Sequence, residues 1–376
     1  MKKGFKIDYF IAVPVIVLLF LGILILSSVS AVISQEKFGN TTYYLFHQII
    51  LGIIPGTILC FIFFFFPLSW LKKWSWIAIL ANLILMVLVF IPGLGVVSGG
   101  AFRWLNLRFF TFQPSEFLKL TFILYIASWL SNPLRGISGG KKKKLLKKEE
   151  NFKYTFVPFL IIAGVIAFLL AKQSDLSTFG VIMISAGIMY FTANTPFWHI
   201  ILIGAAGAFA MGALIMTSSY RITRFKVMLG LIKDPMGLGY QIKQVLIGIG
   251  SGGILGLGLG MSNQKFGFIP EIMSDSIFAI YSEEAGFLGS LILILAFSVF
   301  LFRSFQIAKK SQNTFSKLFA MGFSSWICVQ AFINIGAMVG IIPLTGIPLP
   351  FLSYGGSHLA IELMGVGILL NISKHT

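Results

Sequence analysis

Apolar stretches about as long as a bilayer is thick recur from one end of this chain to the other. They fall at about 9–33, 43–66, 73–92, 115–131, 154–171, 178–195, 197–217, 286–303, 315–342 and 357–372. A helix needs roughly 20 apolar residues to cross about 30 Å of hydrocarbon. Hydrophobic residues make up 57% of the sequence and charged residues 11%, against roughly 45–50% and 25% in soluble domains. So little polar surface cannot cover a soluble fold of this size. Backbone groups in lipid must be satisfied within the protein, which favours helices. The sequence therefore predicts an all-α, polytopic integral membrane protein of about ten transmembrane helices with no attached soluble domain. The first window follows Lys2, Lys3 and Lys6 and ends near Val29-Ser30-Ala31, as a secretory signal would. Its apolar run exceeds the 7–15 residues of a signal core and is read as a span.

The 29 Lys and Arg outnumber the 12 Asp and Glu, and their placement is read first as topology. With the N-terminus in the cytoplasm, Lys72, Lys73, the Lys141–Lys148 run, Arg303, Lys309, Lys310 and Lys374 all fall on the inner side, as the positive-inside rule requires. Both termini are then cytoplasmic, and no nucleic-acid partner is called for. The lysine run reads as a solvated inner loop that fixes orientation; attraction to anionic head groups is the alternative. Two outer loops remain, at about 93–114 and 218–285, and the second is the only non-membrane segment large enough to build a site. Its Arg221, Arg224, Lys226, Lys233, Lys243 and Lys265 run against the inner preference for cations, which suits an anionic ligand at the outer face. Cys60 and Cys328 lie in apolar runs and give neither a disulfide framework nor metal-ligand spacing.

Within the second outer loop, Ile269–Glu284 holds Glu271, Asp275, Glu283 and Glu284, a third of the chain's 12 acids in a short apolar neighbourhood. A helix running from Asp275 straight into the membrane would carry Glu283 and Glu284 about two turns deep, at several kcal/mol each if they faced lipid. Either 275–284 lies along the interface with the span starting near Phe287, or the glutamates face an aqueous cavity. Both solutions put Asp275 at the membrane surface beside a wet site. The preceding Gly248-Ile249-Gly250-Ser251-Gly252-Gly253 satisfies GxGxxG, but no strand-helix-strand pattern surrounds it and a dinucleotide cradle is rejected. Close backbone packing at the membrane edge, or a flexible loop under a bulky substrate, explains the glycines better.

Gln113-Pro114-Ser115-Glu116 reads as a helix start, with Pro at the first position and a carboxylate in the first turn. Lys119 falls on the same face as Glu116, so the two either form an ion pair that fixes the helix in the bundle or line a polar substrate cavity. Arg103-Trp104 taken alone is an interfacial anchor. Lys172 with Asp175, and His358 with Glu362, add polar pairs at span ends. A metal site at His358 and Glu362 lacks an evident third ligand.

These segments, taken in order, resemble the SEDS proteins of bacteria, FtsW, RodA and SpoVE, over essentially the whole chain. The matches are Gly100-Ala101-Phe102-Arg103-Trp104, Gln113-Pro114-Ser115-Glu116 with Lys119, Tyr220-Arg221-Ile222 with Arg224, and Tyr240-Gln241 with Gln244. They continue through Ile249-Gly250-Ser251-Gly252-Gly253, Gly258-Leu259-Gly260, Pro270-Glu271 with Asp275 and Ile277-Phe278-Ala279, and Glu283-Glu284-Ala285-Gly286. Asn334-Ile335-Gly336 and the run Pro343–Gly356 complete them. Ser262-Asn263-Gln264-Lys265 looks more like the division member FtsW than the elongation member RodA. The family's usual Thr-Asp-Phe appears as Ser274-Asp275-Ser276, its Gln-Pro-Asp-Leu-Gly-Thr as Gln173-Ser174-Asp175-Leu176-Ser177-Thr178, and its common Ser and Asn as His358 and Glu362.

The resemblance implies a peptidoglycan glycosyltransferase that polymerises lipid II into glycan strands at the outer face of the cytoplasmic membrane, at the division septum for an FtsW-like member. It implies Asp275 as general base and a substrate-binding set of Arg103, Glu116, Lys119, Arg221, Arg224, Lys265 and Glu283. A divalent cation, Mg2+ or Mn2+, is the cofactor it leaves open, with no organic cofactor. The implied partners are lipid II and nascent glycan, a class B penicillin-binding transpeptidase and other membrane proteins of the division machinery. Three other readings stay open: a RodA-like elongation polymerase, a carrier that flips the lipid-linked precursor, and a noncatalytic scaffold that activates a transpeptidase.

Cysteine labelling tests the topology. A membrane-impermeant thiol reagent applied outside should reach Asn263→Cys and miss Lys143→Cys, each in a chain lacking Cys60 and Cys328. The opposite pattern would overturn both the orientation and the outer-loop assignment.

Overall fold

The computed structural model describes residues 7–98, 101–106, 111–132, 156–193, 197–216, 219–232 and 237–376. The Lys141–Lys148 run lies outside the described residues. Helices coincide with all of the apolar windows: α1 (Tyr9–Phe38), α2 (Tyr43–Gln48), α3 (Ile54–Phe65), α4 (Leu68–Leu88), α5 (Pro114–Leu130), α6 (Val157–Lys172), α7 (Leu176–Thr192), α8 (Phe197–Met216), α11 (Ile277–Lys310), α12 (Thr314–Met338) and α13 (Gly356–Ser373). Among the described residues, six helical segments are long and apolar enough to cross a membrane: Tyr9–Phe38, Tyr43–Phe65, Leu68–Leu88, Ile277–Lys310, Thr314–Met338 and Gly356–Ser373.

Local chemistry sets the helix ends. Asp8 accepts from the Phe10 N–H at the start of α1, and Gly39 closes it in the left-handed conformation, donating to the Gln35 carbonyl, the usual pairing of an acidic N-cap with a glycine C-terminus. α2 joins α3 through a π-helical turn at Ile49–Ile53. Pro55 follows directly; lacking an N–H it cannot serve the Leu51 carbonyl, and a widened turn accommodates the gap. Asn313 caps α12 by accepting from the Phe315 N–H.

Three corner contacts fix which helix ends lie together. Arg303 near the end of α11 pairs with Asp8 at 2.8 Å. Lys374, just past α13, donates to the Phe64 carbonyl at 2.6 Å, and Lys72 of α4 donates to the Ser131 carbonyl after α5 at 3.4 Å. α12 and α13 form the centre. Phe319, Phe323 and Trp326 are buried there, and Gly365 of α13 packs against the Phe323 ring, where a Cβ would overlap it. Exposed large apolar side chains such as Phe20, Phe61, Ile84 and Phe302 present the lipid-facing surface that a membrane bundle requires.

Two departures from the sequence reading concern the segments expected to lie outside. The segment at about 93–114 folds as an antiparallel sheet of β1 (Gly95–Ser98), β2 (Ala101–Asn106) and β3 (Thr111–Phe112), so the chain is helical but not purely α. Val96, Val97, Phe102 and Trp104 suit a short strand, and the window was too brief to signal one. The described residues of the 218–285 segment form helices and packed turns rather than an open loop. It carries α9 (Ser219–Met228) and α10 (Leu238–Ser251), followed by turns that pack onto α11.

That packing resolves the problem of Glu283 and Glu284. α11 breaks at Gly286, whose φ of 68° and ψ of −167° are not helical, so the long span begins at Phe287. Groups freed by the break are taken up by the glycine-rich segment. Leu257 and Gly258 donate to the Glu283 and Glu284 carbonyls at 3.0 Å, while Phe287 and Leu288 donate to the Gly253 and Ile254 carbonyls at 2.9 and 3.1 Å. Phe287 to Arg303 rises about 25 Å, so the helix beyond the break is close to a hydrocarbon thickness in length. The two carboxylates face protein rather than water. Glu283 accepts from the Ser262 hydroxyl and from the Asn263 N–H at 3.1 Å. Glu284 accepts from Ser28 at 2.6 Å and lies 3.9 Å from Lys265.

A Cβ on Gly286 would come within 2.2 Å of the Gly256 nitrogen, whereas Gly260, also at positive φ, has open space around it. Gly286→Ala should therefore lower folded yield and the unfolding midpoint well beyond the roughly 1–3 kcal/mol of backbone strain alone. Gly260→Ala should lose only that strain. Equal losses, read by thermal unfolding in detergent, would contradict the packed break.

Candidate active site

Asp275 is held by a turn that forms before α11 begins. Glu271 sits at φ 52°, and its carbonyl accepts from the Ser274 and Ser276 N–H groups at 3.1 and 3.3 Å. The Ser274 hydroxyl lies 3.3 Å from both the Glu271 and the Asp275 carboxylates, linking the exposed acid to the half-buried one. Gln241 of α10 reaches Ser276 at 3.4 Å. The turn docks on the irregular Pro343–Gly356 segment: the Ser353 hydroxyl donates to the Ser274 carbonyl, and Tyr354 N–H donates to the Met273 carbonyl at 2.8 Å.

Burial raises the Asp275 pKa to about 6, and the neighbouring Glu271 charge adds to the rise. Its own backbone, the Ser274 hydroxyl and the Arg224 cation pull the other way. A carboxylate in such a setting is ionised at neutral pH yet far more basic than an ordinary aspartate, which is what proton abstraction asks of it. Arg224 of α9 donates to the Leu344 carbonyl at 2.7 Å, anchoring the same segment from the other side. Arg221 lies on α9 too; its side chain falls outside what the structure describes.

A second polar group lies deeper, between α5, α12 and α13. Lys119 is fully buried and pairs with Glu116 at 2.7 Å. It also donates to Gln330 Oε1 at 2.8 Å and stands 5.1 Å from the centre of the Trp326 ring. Gln330 passes the connection on by donating to the Pro348 carbonyl at 2.9 Å. Glu362, buried on α13, accepts from the Phe351 N–H at 2.8 Å. The Glu116–Lys119 pair thus touches the segment beside Asp275 through one intermediate side chain.

The remaining predicted residues are engaged elsewhere. Arg103, on β2, donates to the Gln173 and Ser174 carbonyls at 2.9 and 2.6 Å, tying the sheet to the turn between α6 and α7. Lys265 donates to Ser28 at 3.3 Å and to the Gly260 carbonyl; Glu283 holds residues 262–264. Sequence reasoning matched Asn334, Gln241 and Ser353 as parts of motifs without assigning them work, because their partners lie far along the chain.

The family described as cell cycle protein, with FtsW, RodA and SpoVE as its members, matches residues 9–376. The chain is 37% identical over 369 residues to stage V sporulation protein E of Bacillus subtilis, covering 98% of this chain and 97% of that relative. It is 34% identical over 382 residues to the probable peptidoglycan glycosyltransferase FtsW of Trichlorobacter lovleyi, covering 99% and 95%. In fold it is similar to a solved chain of a peptidoglycan synthase complex that coordinates polymerization and crosslinking, with a TM-score of 0.75 at 24% identity over 98% of each chain. Rod shape determining protein RodA of Thermus thermophilus is likewise similar, with a TM-score of 0.69 at 22% identity over 98% and 97%. This chain belongs to the FtsW/RodA/SpoVE family and is a multi-pass membrane protein.

The Glu116–Lys119 geometry makes a stability prediction. Lys119→Met strands a buried carboxylate and should cost about 3–5 kcal/mol, whereas the double change Glu116→Gln with Lys119→Met should recover much of that loss. A double-mutant cycle on unfolding free energy reads the coupling; strictly additive losses would show that the pair does not act as a unit.

Proposed function

We propose that this protein is a peptidoglycan glycosyltransferase that polymerises lipid II into glycan strands at the outer face of the cytoplasmic membrane, with Asp275 as general base. The observation that carries the reading is Asp275 itself: half-buried, pushed up to about 6 chiefly by burial, on a turn fixed against three other parts of the fold. Family membership and the named glycosyltransferase relatives support the reaction class.

A sugar hydroxyl is a weak nucleophile at neutral pH. Asp275 takes its proton as the hydroxyl oxygen bonds to the anomeric carbon of the second lipid-linked sugar, and the bond from that carbon to the pyrophosphate breaks with its electron pair. Negative charge then grows on the leaving lipid pyrophosphate. Arg224, whose charge is felt at Asp275, is the cation placed to meet it, and the sequence offers Arg221 as a second candidate. Glu116 and Lys119 act through Gln330 on the segment beside the base. Arg103, Lys265 and Glu283 hold the surrounding architecture in this reading.

Among the described residues no group of three or more His, Cys, Asp or Glu side chains is placed to hold a metal. Magnesium characteristically takes one or two carboxylates and completes its shell with substrate phosphates and water. Glu271, bridged to Asp275 by Ser274, is the residue that would contribute, and the ion would supply neutralisation of the pyrophosphate.

In this reading the ten helical windows all span, both termini are cytoplasmic, residues 218–285 lie outside, and the protein works at the division septum beside a class B transpeptidase and other division proteins. The shared side of Asp8 and Arg303, and of Phe64 and Lys374, agrees with that topology. Fluctuation of the glycine-rich segment is not needed, since it is packed onto α11.

Purified protein incubated with lipid II and no transpeptidase, followed by separation of products by size, tests the reaction: polymer is expected, and a carrier or scaffold gives none. Asp275→Asn keeps the size and hydrogen bonding of the side chain and should lower polymerisation by about 10²–10⁴-fold while insertion and folding persist. Because the base must be deprotonated, wild-type kcat/KM should fall as pH drops through about 6 and be flat above it. Near wild-type synthesis by folded Asp275→Asn would sink the base assignment.

A further inference from the structure

Asn334 is buried on α12, at the place where the Asp275 turn and the Pro343–Gly356 segment meet. Its amide nitrogen donates to the Asp275 backbone carbonyl at 2.7 Å and to the Ile347 carbonyl at 2.8 Å. Both acceptors are carbonyls outside regular secondary structure, so the orientation of the amide is forced and both of its hydrogens are used. The neighbour of Ile347 is Gly346, at φ 70°, and a Cβ built there would stand 3.8 Å from Asp275 Oδ2. The segment therefore lies within a methyl group's reach of the carboxylate, and at this end one side chain from a central helix joins the two pieces of irregular backbone, which the Ser353–Ser274 and Tyr354–Met273 bonds join at the other. Neither piece has a strand or helix ladder, and the Ser353 and Tyr354 bonds act on residues 274 and 273, so at residue 275 itself the separation is set by Asn334.

We propose that Asn334 is a positioning residue for Asp275: by bridging the Asp275 and Ile347 carbonyls it fixes the distance between the carboxylate and the Gly346 backbone. The inference rests on Asp275 being the base. Asn334 has a role distinct from folding because what it fixes is the separation of two surfaces at the reacting group. Loss of the bridge frees the Gly346–Ile347 part of the segment to shift while Ser353 and Tyr354 still hold the turn, and more water reaches Oδ2. Burial is the largest influence on the acidity of Asp275, so hydration moves its titration toward the ordinary aspartate range. The other groups that act on it are Glu271 and Ser274 on its own turn and Arg224 from α9. Arg224 travels with the segment through Leu344, and its retreat opposes the shift without outweighing the larger burial effect.

The experiment uses full-length protein in detergent with lipid II. Asn334→Ala should lower kcat by about 10²-fold, the scale set by small misplacements of a reacting group, with KM changed less than about twofold on the same argument that binding contacts are untouched. The acid limb of its residual activity should move to lower pH. Isotope-edited infrared titration of the Asp275 carboxyl, assigned by its disappearance in Asp275→Asn, should show the same downward move without reference to activity. Wild-type kcat, or an infrared titration that stays in place in folded Asn334→Ala, overturns the proposal. If that variant does not fold, Asn334→Thr keeps one donor and is read by the same two measurements. Should Asp275→Asn retain activity, the base reading fails, while a shifted infrared titration in the Asn334 variant still supports positioning and an unshifted one overturns it.

Discussion

Hydrocarbon leaves no backbone N–H or carbonyl a water to turn to, at several kcal/mol for each group left unpaired, and the exchange at Gly286 is this protein's answer. A helix that stops near the membrane edge would abandon the Glu283 and Glu284 carbonyls and the Phe287 and Leu288 N–H groups. Residues 253–258 supply a partner for each of the four. Positive φ at Gly253, Gly256 and Gly258 lets one short stretch present donors and acceptors in the order the break demands, and at Gly256 a Cβ would overlap the Glu284 carbonyl. The glycines are structural complements of the break. Once α11 is broken there, Asp275 and its turn lie outside the long span, and the two glutamates can face the protein.

The same requirement explains Pro343–Gly356. It is irregular backbone, acceptable at membrane depth only where the protein satisfies it, and side chains from several helices do so. Ser177 donates to the Thr345 carbonyl at 2.8 Å, Arg224 to Leu344, Gln330 to Pro348 and Asn334 to Ile347. Glu362 accepts from Phe351, and Gln48 of α2 accepts from the Gly355 N–H at 2.8 Å. Each bond satisfies a peptide group and also fixes a position. The segment is consequently a hub in which α2, α7, α9, α12 and α13 meet, and Asp275 is placed by its contact with that hub rather than by its own helix.

The membrane class was legible because apolar run length reports on lipid directly, and the windows coincide with helices from Tyr9 to Ser373. The Pro114 helix start and the Glu116–Lys119 pairing were legible as local rules spanning a turn or two. The short sheet was not, because four to six residues of strand among aromatic and glycine residues carry little periodicity. Sequence reasoning also could not choose between an interfacial segment and an aqueous cavity for Glu283 and Glu284; the packed break, with Ser28 and Ser262 as partners, lay beyond local pattern. Arg224 and Leu344 are 120 positions apart and Gln48 and Gly355 are 307 apart. No spacing rule reaches across such distances, so residues that serve the hub read simply as scattered polar side chains.

Departures from the family's usual pattern become intelligible at the level of individual atoms. Ser274 stands where Thr is usual, and what the site uses is a hydroxyl between the Glu271 and Asp275 carboxylates, which either residue supplies. Glu362 stands where Asn is common, and its task here is to present an oxygen to the Phe351 N–H, at a residue held at φ 63°; an amide carbonyl presents the same acceptor. A non-glycine residue in that conformation is strained, and the bond to Glu362 helps hold it there. Chemical capacity is kept at both positions while side-chain identity changes. The geometry around Asp275 therefore depends on which donor and acceptor atoms reach the hub, and only secondarily on the residue that carries them.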